Sequence, residues 1–93
     1  MQSEIESDVA ITADRQAVNF TVKVRGRPVY CSVTRQALEE WFWLPKQASD
    51  EKLLKAFFDG VNRISAVATR KSLRTGTGES RLVLEKRDFE IGI

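Results

Sequence analysis

Histidine is absent from this chain, and Cys31 is its one cysteine. Those two facts remove most catalytic chemistry at the outset. Without an imidazole there is no common general base to activate a serine or thiol, and the commonest metal ligand is missing. A single thiol without histidine also excludes the usual zinc ligand sets. Magnesium or calcium would need clustered carboxylates, and the acids here are scattered. Two short patterns remain. Ser49-Asp50-Glu51-Lys52 has the Ser-x-x-Lys spacing that pairs nucleophile and base in some hydrolases. The same residues also make a helix cap with acids in its first turn, and nothing else of that hydrolase pattern is present. Gly76-Thr77-Gly78 has the composition of a phosphate-binding loop. Such a loop follows a strand and opens a helix, whereas here a helical pattern ends and a strand pattern begins, so a flexible connection is expected. Cys31 alternates with Val29 and Val33 and is expected in the core, away from the electropositive, partly exposed setting that makes a thiol reactive. No catalytic, cofactor-binding or metal-binding residue is assigned, and no enzymatic activity is expected.

What remains is binding chemistry, in two places. Trp41-Phe42-Trp43 are consecutive. Three successive helical residues fan across about 200°, so they cannot all enter one core. Trp43 is expected at an edge, with Trp41 and Leu44 beside it as a candidate interface, because aromatic anchors dominate protein interfaces. The second place is a cationic face. Lys23, Arg25 and Arg81 beside Tyr30 are expected on the sheet, and Arg63, Arg70, Lys71 and Arg74 on a helix. An aromatic among cations can stack a base while the cations hold phosphates. The formal net charge of +2 is low for such a role, and basic residues near a helix end also serve to offset its dipole. Self-association or binding of a protein partner is therefore the leading expectation, with nucleic-acid binding as the alternative.

The elements that must position these residues follow from periodicity. From Ala17 to Thr34 apolar and polar residues alternate, with Gly26 where the chain reverses, which predicts a β-hairpin with one apolar and one cationic face. Thr34 can cap a helix carrying Leu38, Trp41 and Phe42, and Pro45 is expected to end it. Ser49 and Asp50 supply the next cap. Leu53, Leu54, Phe57, Phe58, Val61, Ile64 and Ala68 then form one wide apolar stripe, predicting a long second helix. Gly60 is its weak point, marking a kink or a close approach, and Asp59 and Arg63 are expected to pair across it. Gly76 is expected to stop that helix. Residues 81–85 predict a third strand with Leu82 and Leu84 inward, and Phe89, Ile91 and Ile93 a short terminal strand. The order β-β-α-α-β predicts a two-layer α+β domain: an antiparallel three-stranded sheet with two helices on one face.

The chain has 93 residues, 42% hydrophobic and 30% charged, enough for one domain with its own core. Residues 1–8 are acidic and polar and are expected to be flexible, leaving residues 9–93 as the domain. No apolar stretch suggests a secretory leader or a membrane span, and a lone cysteine suits a reducing compartment, so the cytoplasm is expected.

Several stretches carry a family likeness: Val18-Asn19-Phe20, the hairpin Val24-Arg25-Gly26-Arg27-Pro28-Val29-Tyr30-Cys31, Val33-Thr34 leading to Ala37-Leu38, Asn62-Arg63-Ile64 to Ala68, and Asp88-Phe89. In this order and spacing, over about three-quarters of the chain, they resemble the bacterial domain-of-unknown-function family 1488. The resemblance implies a bacterial source and a small α+β fold. It implies no activity, since the family has no assigned chemistry or site.

Overall fold

The alternation between Ala17 and Thr34 becomes an antiparallel ladder of β2 (Ala17–Val24) and β3 (Arg27–Thr34), in register from Ala17 opposite Thr34 to Val24 opposite Arg27. The computed structural model describes residues 8–75 and 81–90. Only Arg25 and Gly26 separate the two strands, at φ of 56° and 80°. Two successive positive φ values are what a two-residue type I′ hairpin turn demands. Val18, Phe20, Val22 and Val24 of β2 and Cys31 and Val33 of β3 are buried on one face. A two-residue strand, β1 (Ala10–Ile11), pairs antiparallel with the outer edge of β2. Just before it, the Asp8 carboxylate accepts a hydrogen bond from the Thr21 hydroxyl at 2.8 Å.

Thr34 caps α1 (Arg35–Trp41), its hydroxyl accepting from the Ala37 N–H at 3.1 Å. Ser49 caps α2 (Asp50–Asp59), accepting from the Lys52 N–H at 3.3 Å. The Ser-x-x-Lys spacing is thus a helix cap. The long second helix expected from the apolar stripe is two helices, because α2 ends at Gly60 and α3 (Val61–Thr75) begins directly after it. The break has a steric cause. A Cβ at position 60 would overlap the ring of Phe42, so the residue is glycine and the ring fills the space. The expected Asp59–Arg63 pair fails for the same reason, the two residues lying on different helices. Asp59 instead pairs with Lys55 at 3.0 Å.

The sheet also differs from the expected one. Among the described residues it has four strands in the order β1-β2-β3-β4, and β4 (Leu82–Leu84) runs parallel to β3. A parallel neighbour needs a long crossover, and the three helices supply it. The 15 residues of α3 rise roughly 22 Å, and β4 then begins with Leu82 opposite Cys31, in the second half of β3. Leu82 and Leu84 face inward as expected, 5% and 0% exposed. The expected terminal strand is replaced at Phe89, which closes a 3-10 helix (Lys86–Phe89) and is fully buried. Ile91 and Ile93 lie outside the described residues, as do Gly76-Thr77-Gly78. The core gathers Phe20, Phe57, Phe89, Leu38, Leu53, Ile64 and Leu84 around the inner sheet face. Among the described residues no helix is long and apolar enough to cross a membrane.

Candidate functional site

The aromatic triplet does not lie on one helix. α1 stops at Trp41, Phe42 is its C-cap, and Trp43 adopts φ 58°. This left-handed residue turns the chain so that the N–H of Leu44 reaches the Leu38 carbonyl at 3.2 Å, as a second donor beside the Phe42 N–H at 2.9 Å. The helix therefore ends three residues earlier than Pro45 requires. The three rings go to three different places. Phe42 turns inward, meeting Phe89 edge-on with centroids 5.4 Å apart. Trp41 is half-buried, and its indole N–H donates to the Lys86 carbonyl at 2.9 Å. Trp43 is 90% exposed. Leu44, expected at an interface, is only 4% exposed and belongs to the core. Turning by way of Trp43 swings it inward.

Trp43 stands on the rim of a groove of about 420 Å³ between the 42–45 segment and one face of α2. Phe42, Leu44, Pro45, Ala56 and Gly60 give it an apolar lining, and Lys52, Lys55 and Asp59 border it. Residues 52, 55, 56 and 59 have the i, i+3, i+4, i+7 spacing of a single helix stripe. Trp41 does not line the groove. Ala56 and Gly60 open it by being small, and the Phe42 ring lying against Gly60 forms part of its floor.

The expected cationic residues serve largely within the fold. The Arg63 guanidinium lies 5.5 Å from the Trp41 ring centroid, 5.6 Å from that of Phe42 and 5.8 Å from that of Phe89. It also donates to the Phe89 carbonyl at 3.3 Å. Arg81 donates to the Cys31 carbonyl at 2.7 Å. Lys71 donates to the Val83 carbonyl at 2.7 Å and pairs with Asp88 at 3.0 Å, joining α3 to β4 and the 3-10 helix. Lys23 and Arg70 are engaged as well. Arg25 is exposed at the hairpin tip, Arg74 is exposed in the last turn of α3, and Tyr30 is half exposed on the outer sheet face.

Cys31 is fully buried, its thiol donating to the Val29 carbonyl at 3.5 Å. Burial pushes its pKa up to about 11, against a weaker opposing pull from the charge of Arg81. A thiol so protonated and enclosed is a core residue. Among the described residues no group of three or more Cys, Asp or Glu is placed to hold a metal ion.

Sequence reasoning missed the α2 wall of the groove, formed by Lys52, Lys55, Ala56 and Asp59. Ala56, a small residue set among those charges, was the available signal. It could be used only once the 42–45 segment was known to lie opposite.

The fold and this surface define a small α+β domain with a mixed sheet and an aromatic-rimmed apolar groove. The chain belongs to the family described as protein of unknown function (DUF1488), whose model matches residues 6–84. Its structure is similar to the crystal structure of a DUF1488-family protein of unknown function from Shewanella loihica PV-4. That likeness has a TM-score of 0.69 at 19% identity and covers 92% of this chain and 97% of the other. No curated protein matches the chain.

Proposed function

We propose that the chain is a non-enzymatic interaction domain that binds a protein surface through Trp43 and the groove beside it. One observation carries this reading. Position 43 takes a left-handed backbone and leaves the side chain almost wholly in water at the rim of the groove, yet it holds tryptophan, at φ 58° and 90% exposed. Glycine or asparagine satisfies such a position best. A bulky residue there costs backbone strain of about 1–2 kcal/mol, and its large apolar surface stays in water. Neither feature helps the monomer, and both suit an anchor residue that is buried on binding. The proposed setting is the bacterial cytoplasm, where a single buried thiol needs no oxidant and no partner. No cofactor is assigned.

Site-specific photocross-linking tests the reading. Benzoylphenylalanine replaces Trp43 in one sample and the exposed Gln36 of α1 in another, in cells and in the purified protein. A light-dependent adduct heavier than the 10.6 kDa chain is expected from position 43 and not from position 36. If position 43 gives no adduct in either setting, Trp43 is not a contact residue and the proposal fails.

A further inference from the structure

We propose that the occupant of the groove is a second copy of this chain, bound across a two-fold axis with each Trp43 inserted into the groove of the other copy; this rests on the interaction reading above. An interface between identical copies closes as a dimer when projection and recess share one self-complementary patch. Here they do, since Trp43 is itself one of the residues lining the 420 Å³ groove.

Charge points to the same occupant. The border holds both signs, Lys52 and Lys55 against Asp59. A strongly acidic or strongly basic partner would meet repulsion from one side or the other. A two-fold axis passing beside α2 between residues 55 and 56 sets the helix antiparallel to its copy. In that arrangement residue 52 falls opposite residue 59 of the second copy, and residue 55 opposite residue 56. Lys52 then faces the Asp59 of the other chain twice, joining the Lys55–Asp59 pair that each chain already makes within itself.

The area available sets the strength. The chain exposes 6075 Å², and a specific patch takes about a tenth of a small protein's surface. Two such patches give about 1,200 Å² in total, the lower end of specific interfaces. A reversible, weak dimer is expected. Symmetry counts each lost contact twice, so an anchor worth about tenfold in affinity costs about a hundredfold when removed from both copies.

Sedimentation equilibrium of the full chain up to about 1 mM, with circular dichroism to confirm folding, reads the outcome. Wild type is expected to dimerise, and Trp43→Ala to weaken dimerisation about a hundredfold while remaining folded. A charge-exchange pair gives the second readout. Lys52→Glu places two acids opposite each other in its homodimer, and Asp59→Lys places two lysines opposite each other. Each alone should be monomeric, and their equimolar mixture should regain dimers, because both cross-contacts then have opposite sign. A monomeric wild type, or a mixture no more associated than its components, overturns the assignment of a second copy. These results are separable from failure of the interaction reading. An adduct from position 43 to a different protein, with a monomeric wild type, leaves that reading standing and removes only the dimer, whereas no adduct from position 43 removes both.

Discussion

Trp43→Gly should leave the fold as stable as before, or slightly more stable. Glycine adopts φ 58° without the strain of about 1–2 kcal/mol that a side chain suffers there. Its greater freedom in the unfolded chain takes back about 0.5–1 kcal/mol. The indole is 90% exposed, so of the roughly 200 Å² it could bury, only about 20 Å² is covered, worth about 0.5 kcal/mol. The terms nearly cancel, leaving a change within about 1 kcal/mol of zero. Leu44→Ala, one residue further on, removes a side chain that is 4% exposed and should cost about 2–5 kcal/mol. Urea unfolding followed by circular dichroism, at low micromolar protein so that association adds nothing, compares the two. A loss of 3 kcal/mol or more for Trp43→Gly is what a packed tryptophan would give. That result would refute the claim that folding does not need this ring.

Three further outcomes follow from the packing. Gly60→Ala should destabilise by about 1–3 kcal/mol in the same urea assay, although alanine is the better helix former, because its methyl group meets the Phe42 ring. Unchanged stability would mean that the ring moves aside freely. Lys71→Met should cost about 2 kcal/mol by removing the donor to Val83 and leaving Asp88, whose side chain is 9% exposed, without its cation. A thermal shift below about 4 °C would contradict that. Cys31 should make stability fall at high pH. Its folded pKa is raised to about 11 from an ordinary 9.0, so the unfolded chain releases the proton first. The contribution is intact below about pH 9 and is lost as pH rises toward 11, a drop of about 2 kcal/mol between pH 8 and 10.5. Urea unfolding of wild type against Cys31→Ala isolates it, and parallel pH profiles for the two would contradict it.

Local signals in the sequence read true, and those that depended on tertiary geometry did not. The hairpin, both side-chain caps and the inward set Leu82, Leu84 and Cys31 follow from alternation and from hydroxyls at helix starts, which act within a few residues. The parallel β4 was not legible, because strand direction is set by how far a crossover carries the chain, and Leu82–Leu84 reads the same either way. The apolar stripe runs through Gly60 without interruption. Only the Phe42 ring, eighteen positions earlier, divides α2 from α3. At the site, the crowding of Trp41-Phe42-Trp43 announced a surplus ring, and Trp43 is that ring. Leu44 was misread because the left-handed turn at Trp43 reverses which side of the chain faces the core. Arg63, Lys71 and Arg81 looked like a basic surface because sequence does not reveal that their charges sit on rings, carbonyls and a carboxylate of the same chain.

The most direct test of the binding surface uses the two tryptophans, Trp41 and Trp43, as probe and control in one molecule. With both replaced by 5-fluorotryptophan, the protein gives two fluorine resonances, which a Trp43→Phe sample assigns. On raising the concentration to about 1 mM, and in intact cells, the Trp43 resonance should shift or broaden while that of Trp41, fixed against Lys86 and Arg63, stays in place. A Trp43 resonance that remains sharp and unshifted under both conditions would contradict a binding role for that side chain.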